Sequence, residues 1–481
     1  MNSSILSIAR TALIAHQRVL DTVSQNIANA ATPGYSRQED IVTPSDPARM
    51  PWGMMGTGVT AGSIVRKRDV LLDDQYRTNA GNAGRLDFRR DSLNSVQNIF
   101  GEPSDAGMSS ALDQFWNSWS DLTAAPNGTA ERVVVQQSGN QVAHLFNDFD
   151  SGLSAQRESN LTQLSVTVDE INGLANHVAD LNGQIKSAEI SGSQAADLRD
   201  QRDIAIDSLA TKAGARAIPQ ADGTITVVVG NSSLVDGVTA RPLKLTLVPI
   251  IPTPTTPNPD IPVRISLGDS PDPVKPLGGQ VSAMVQVLND DIPRMRLRLN
   301  AMASQLVTTI NAAHSQGFVF SGTTIPGTAA GNFFDPGTLS SPVTAASISL
   351  DSAVATDISK IAASKDPNAP LDNQIASQMA ALRSNASAVT FTSSSGAETG
   401  SFLGFFRSTV TRLGLDVRNA TDDATVVDTL TSQSEARRLS VSGVNTDEEL
   451  IKMIKIQQAY VAATKLVKAA DEMMQTILAM V

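Results

Sequence analysis

The chain has 481 residues, 41% of them hydrophobic and only 4% aromatic, with a formal net charge of -11 and no cysteine. That length allows about two to four domains, and the apolar content is enough for sizeable cores, which argues against global disorder. The acidic balance, without a dense basic block, argues against nucleic-acid binding. The short clusters Arg66-Lys67-Arg68 and Arg89-Arg90 read as solvated faces. The missing cysteine removes disulfides and thiolate metal sites, and no apolar run reaches the ~20 residues of a membrane span.

The first segment reads as one helix. Leu6, Ala9, Leu13, His16, Leu20, Val23 and Ile27 recur at steps of three and four, the spacing of a coiled-coil seam. Ile5, Ile8, Ala12, Ala15 and Val19 form a second, adjacent apolar stripe, so the helix has to be covered on more than one side. Arg10 and Arg18 lie inside this amphipathic pattern, which is unlike a cleavable secretory signal. Thr32-Pro33-Gly34-Tyr35 then breaks the helix: proline disfavours helical geometry just before it, and Gly34 permits a left-handed turn.

Residues 38–70 are rich in Pro and Gly with alternating stretches, which predicts extended or β structure. Residues 71–101 and 108–123 read as helices, and 129–213 as two or three long ones. The pattern switches to strands over 214–248, with Ala221-Asp222-Gly223 as a hairpin turn. Six prolines fall within 249–262, a stiff extended segment expected to face outward with Asp260 on it. Residues 278–315 return to helix, 316–360 form a second, weaker β region, and 400–442 are helical again.

The last segment mirrors the first. Asn445 or Thr446 can cap a helix whose first turn carries Asp447, Glu448 and Glu449. Met453, Ile456, Tyr460, Ala463, Val467, Ala470, Met474, Ile477 and Val481 follow at alternating steps of three and four. The two ends therefore carry long, complementary helices expected to pair, with Leu13, Leu20 and Ile27 meeting the Tyr460, Val467 and Met474 face. The fold class is α+β and multidomain. Residues 1–32 with 445–481 form a coiled-coil-like helical inner core. Residues 33–213 with 361–444 form a helix-rich stem, and 214–360 form a β-rich central outer region with a helix at about 278–315.

Candidate chemistry is sparse. The stretch "GTGVTAG" at 56–62 lacks the Lys-Ser/Thr of a phosphate loop and the spacing of a dinucleotide fingerprint. His16, His144, His177 and His314 are isolated, with no HExxH, and no Gly-x-Ser-x-Gly elbow occurs. The acidic pairs Asp73-Asp74, Asp290-Asp291 and Asp422-Asp423 lie on predicted helices or their caps, and nothing nominates a catalytic pair. No catalytic, cofactor or metal residue is assigned. Apolar stripes beyond those one partner helix can cover favour a self-assembling structural protein.

"NIANAATPGYSRQ" at 26–38 resembles the N-terminal signature of bacterial flagellar axial proteins. The fuller form ending Tyr35-Ser36-Arg37-Gln38 resembles the hook-associated protein 1 family. The C-terminal segment is similar to that family at Ser442-Gly443-Val444-Asn445, Gln457-Gln458-Ala459-Tyr460 and Ala470-Asp471-Glu472. So are "DLRDQRD" at 197–203, "DGTITVVVG" at 222–230 and "INAAHSQG" at 310–317. The resemblance spans nearly the whole chain, and hook and rod proteins share the N-terminal motif alone. It implies a non-enzymatic, extracellular subunit of the hook–filament junction, exported through the flagellar type III channel. Implied partners are further copies of itself, hook protein, hook-associated protein 3 and an export chaperone at the C-terminal helix, with no cofactor, nucleic acid or membrane insertion. The assembly residues are then Leu6, Leu13, Leu20, Val23, Ile27, Met453, Ile456, Tyr460, Val467, Met474 and Ile477, and Thr32, Pro33, Gly34 and Tyr35 turn the chain out of the core. A hook or rod subunit is the alternative within the class. An enzyme with coiled-coil termini is the alternative outside it.

Overall fold

A computed structural model describes residues 2–50, 52–192, 194–248, 260–270, 272–275, 278–320, 325–338, 342–393 and 396–479. The architecture is α+β, dominated by long helices. Helix α1 (Asn2–Ala28) leads into a ribbon of β1 (Gln38–Pro44) and β4 (Val59–Arg66), which carries at its far end the small hairpin β2 (Ala48–Met50) and β3 (Gly53–Met55). Four helices follow: α2 (Val70–Phe100), α3 (Met108–Ala124), α4 (Thr129–Ala188) and α5 (Ala196–Ala213). The reading of 129–213 as helices resolves into one of 60 residues, α4, about 90 Å long at ~1.5 Å per residue, and the shorter α5.

Asp69 starts α2 by accepting from the amides of Leu71 and Leu72, and Gly101 ends it in the left-handed region. Helix α2 crosses α5 at backbone contact. A Cβ on Gly84 would lie 2.5 Å from the Thr211 carbonyl oxygen, so only glycine fits.

An antiparallel four-stranded sheet follows, in the order β5 (Arg216–Pro219), β6 (Ile225–Val229), β7 (Ser232–Asp236) and β8 (Thr239–Ala240), and then the pair β9 (Leu243–Leu247) and β10 (Val263–Leu267). The predicted 278–315 helix is present as α6 (Gly279–Gln286), a π turn over Val287–Asp291 and α7 (Ile292–His314). Pro293, which cannot donate to the preceding turn, accounts for the widened geometry there.

The expected β region at 316–360 reduces to β11 (Phe318–Val319), β12 (Thr328–Ala329) and a bridge between Phe334 and Leu350. It is mostly irregular because side chains, not strands, satisfy its backbone. Asn311 accepts from the amides of Phe333 and Phe334 and donates to the Phe334 carbonyl. Beyond α8 (Ser352–Thr356), the helix α9 (Gln374–Ala381) and the hairpin β13 (Val389–Ser393) and β14 (Gly396–Gly400) were not foreseen from the sequence. The chain ends in α10 (Phe402–Ser442) and α11 (Thr446–Ala479).

One continuous apolar cluster runs from Phe88 on α2 through α3, α4, the sheets and α7 to Ala420 on α10. Among the described residues two tryptophans and seven phenylalanines are almost fully buried, so the few aromatics are concentrated where they exclude most water. Asparagines on the helices act as strand partners. Asn182 accepts from the Ile225 amide and donates to the Ile225 and Gly237 carbonyls. Asn172 brackets Leu243 in the same way, and Asn289 brackets Val263. Each satisfies backbone groups that would be costly to bury unpaired.

The described end of the Pro-rich segment corrects one expectation; residues 249–259 lie outside the described residues. Asp260 does not face outward. It is 2% exposed and is paired with Arg296, which also forks onto Asp150 at 3.0 and 3.1 Å, and with Arg157 at 3.3 Å. Composition suggested an outward linker, but the buried arginines need a carboxylate. Asp260→Ala would leave two arginines short of a counter-charge and should cost about 3–5 kcal/mol in denaturant unfolding.

His314 is fully buried. Its Nε2 accepts from the Ala362 amide at 2.9 Å, so Nδ1 carries the proton and donates to the Gly331 carbonyl at 2.8 Å. Burial pulls the imidazole down to about 4 from an ordinary 6.5. The unfolded chain therefore takes up this proton first as pH falls. The stability that the neutral ring contributes is complete above pH 6.5 and is lost as pH drops toward 4, by up to about 3 kcal/mol. Urea unfolding compared at these two pH values should show that loss, and His314→Gln should show less of it.

Candidate assembly interface and the joint beneath it

Helix α1 ends at Ala28. Two turns follow, with the Thr32 amide donating to the Asn29 carbonyl (2.9 Å) and the Tyr35 amide to the Thr32 carbonyl (3.3 Å). Gly34 has φ 77°, and a Cβ there would lie 2.4 Å from Cδ1 of Ile204 on α5. Only glycine suits both the sign of φ and the approach. Thr32, Pro33, Gly34 and Tyr35 thus redirect the chain from α1 onto the flank of α5.

The residues on either side of that turn form a polar joint. Asn26, fully buried, accepts from the Gln38 amide (3.0 Å) and the Tyr35 hydroxyl (2.9 Å). It donates to the Gln38 carbonyl (3.0 Å) and to Oε2 of Glu449 (3.2 Å). Burial, with Asp197, Asp200 and Glu449 nearby, pushes the Tyr35 phenol up to about 12, so it remains a donor. Arg37 reaches Glu449 at 2.7 Å and Glu448 at 3.1 Å, and its amide donates to the Ser442 carbonyl at 2.8 Å. Asn445 accepts from the Asp447 amide (3.0 Å) and caps α11.

The other side of the joint lies on α5. Asp200 accepts from the Ser36 amide (2.9 Å), the Ser36 hydroxyl (2.6 Å) and Arg66 (2.6 Å). Asp203 takes Arg66 at 2.8 Å and both Arg68 and Arg77 at 3.1 Å. Burial alone would raise the Asp203 carboxyl, but Arg68, Arg66 and Arg77 overcome it and hold it at about 2. Asp207 joins Arg77 and Arg438, whose guanidinium lies 3.8 Å over the Tyr76 ring. The Arg66-Lys67-Arg68 cluster is therefore not a solvated face. Both arginines are 11% exposed: Arg66 is spent on Asp200 and Asp203 of "DLRDQRD", and Arg68 is shared between Asp203 and Asp73. Sequence reasoning noted that motif without giving it a role; its buried acids on one helical face were the available signal.

Above the joint, α1 packs along α11. The link from Asn26 to Glu449 makes the pair antiparallel. The fully buried line on α1 is the small-residue stripe Ala9, Ala15 and Val19, together with Val23, and on α11 it is Ala463 and Ala470. Leu6, Leu13, Leu20 and Ile27 are half-buried, as are Met453, Ile456, Tyr460 and Val467. Met474 is 39% exposed; the Ile477 side chain and Val481 lie outside the described residues. At equal rise from the Asn26–Glu449 link, the antiparallel pairing sets Leu20 level with about Ile456 and Leu13 with about Ala463; of the expected face, Tyr460 lies level with the Leu13–Leu20 stretch and Val467 nearer Ile8. Alanines allow the closest approach, so the larger residues flank the contact. Ile14, Ile454, Val461 and Leu466 remain more than half exposed.

Among the described residues no group of three or more acidic or histidine side chains is placed to hold a metal ion, and no helix is long and apolar enough to cross a membrane.

Three family profiles match. One, described as flagellar hook-associated protein FlgK helical domain, covers residues 93–334. The others, flagella basal body rod protein and flagellar basal body rod FlgEFG protein C-terminal, cover 6–35 and 435–480. The chain is 29% identical over 504 positions to flagellar hook-associated protein 1 of Bacillus subtilis strain 168, across 98% of this chain and 97% of that protein. It is 28% identical to the protein of that name from Salmonella typhimurium strain LT2, across 66% of this chain and 57% of that protein. The flagellar hook junction protein FlgK from Burkholderia pseudomallei superposes with a TM-score of 0.61 at 15% identity, over 77% of this chain and 100% of that one, a likeness of fold.

Glu449→Ala tests the joint. It takes the counter-charge from Arg37 and an acceptor from Asn26, a loss of about 2–3 kcal/mol. Amide exchange in α1 and α11 should rise at least about 10-fold while α4 is unchanged.

Proposed function

The chain belongs to the flagellar hook-associated protein FlgK family, whose helical-domain profile covers half of it, and on that premise we propose that it is a structural subunit of the bacterial flagellum forming the junction between hook and filament. The observation that carries this is the near full-length match to a hook-associated protein 1, together with terminal helices that keep apolar faces after pairing with each other. Copies of the chain assemble through α1 and α11 into a ring or tube, and Thr32–Tyr35 turn each chain outward from it. Residues 1–32 with 445–481 act as the inner unit, and the remainder projects as stem and outer regions. A hook or rod subunit is disfavoured because the rod-type profiles match only the two ends.

Family membership also supports the finer reading. The subunit is secreted through the flagellar export channel and works outside the cell. It is escorted beforehand by a chaperone on α11, and it contacts hook protein on one side and hook-associated protein 3 on the other. Its role is structural, not catalytic.

Cells lacking the chain should carry hooks without filaments and shed flagellin into the medium; full filaments on such cells would overturn the reading. Val467→Asp is the sharper test. Val467 is half-buried between Ala463 and Ala470, and a charge there costs several kcal/mol once the face is covered. The variant should be made and remain soluble, yet be lost from the hook tip and leave cells non-motile. Asp269→Ala, 96% exposed at its side chain, is the neutral control.

A further inference from the structure

The hairpin β2–β3 presents apolar side chains to solvent. Trp52 is 68% and Met54 66% exposed, while the chain's other two tryptophans, Trp116 and Trp119, are at most 2% exposed. Among the described residues the hairpin's two three-residue strands pair only with each other, and none of its described residues is buried. An isolated two-stranded hairpin is marginal in water, and an uncovered Trp forgoes the burial that makes this residue a common interface anchor.

Its position indicates what covers it. The ribbon that carries it lies against α1: a Cβ on Gly58 would sit 2.2 Å from Oγ1 of Thr11, and Arg18 holds Asp40 at 3.2 Å. A neighbour covering the outer face of α1 therefore has to pass the hairpin. Arg49 on β2 is exposed and makes no ion pair among the described residues. The start of α11 offers the complement, with Leu450, Ile451 and Ile454 each 46–55% exposed beside the exposed Asp447.

We infer that the Trp52–Met54 hairpin of one copy docks on the Leu450–Ile454 face at the start of α11 of a second copy, with Arg49 beside Asp447. This rests on the self-assembly proposed above and adds a contact outside the helix pair. The occupant is another copy because the chain's own α11 supplies both the apolar face and the acid.

The absence of cysteine makes a clean test. Ala48→Cys and Thr446→Cys, combined in one full-length chain, keep Arg49, Trp52 and Asp447. Flagella isolated from cells carrying it are treated with a short bis-maleimide and probed with an antibody to the chain. A ladder of dimers and higher species that needs both cysteines is expected. Trp52→Ala with Met54→Ala should cut the amount retained in flagella at least 10-fold, with an unchanged circular dichroism spectrum. Chain present in flagella but monomeric after crosslinking, or joined to a different protein, would overturn the docking and leave the junction reading standing. Chain absent from isolated flagella would overturn both.

Discussion

Taking Asp203 out of water costs free energy that no single counter-ion offsets, and three arginines from residues 66–77 converge on it. Arg66 arrives at the end of β4, Arg68 from the link to α2, and Arg77 from inside α2. One turn away, Asp200 holds Ser36, the residue after the break in the chain. Helix α5 thus fixes where the chain goes after α1 and where α2 begins. Through Arg37 and Asn26 the same joint sets the start of α11. The terminal helices share little with the main apolar cluster, so their direction depends on this polar contact more than on core packing. Because Asp203 is held at about 2, its charge persists well below neutral pH.

Much of the fold was legible in the sequence. The steps of three and four at both ends gave two helices of nearly the observed length, and Asp222-Gly223 gave the β5–β6 hairpin. What escaped was what periodicity does not encode. The spacing put Ala9, Leu13, Leu20 and Val23 on one seam and Ala15 and Val19 on a second stripe, yet helices approach most closely over small residues, and the buried line takes Ala9 and Val23 from the first and Ala15 and Val19 from the second, leaving Leu13 and Leu20 at its flanks. Arg66 and Arg68 looked solvated because nothing in their own stretch marks an arginine as buried; Asp200 and Asp203, which bury them, lie more than 130 residues away, although Arg68 also forks onto Asp73 five residues on. Asp260 was misplaced for the same reason, since its partners Arg296 and Arg157 sit on α7 and α4. In the joint, Tyr35 and Gly34 could be read as a turn, whereas the roles of Asn26, Gln38, Asp200 and Glu449 depend on distant contacts.

The asparagine brackets have a bearing on chemical lifetime. Asn172 and Asn182 are each followed by glycine, the pairing that in a loose chain most readily loses its amide nitrogen by cyclising onto the next backbone nitrogen. Conversion of Asn182 to aspartate would set carboxylate oxygens against the Ile225 and Gly237 carbonyls and release the sheet from α4. Both sites lie within the 60-residue helix, which ties up the following amide and holds the side chain away from it. The rigidity of α4 therefore acts as a preservative: the same helix that carries the sheet slows the ageing reaction that would undo its attachment.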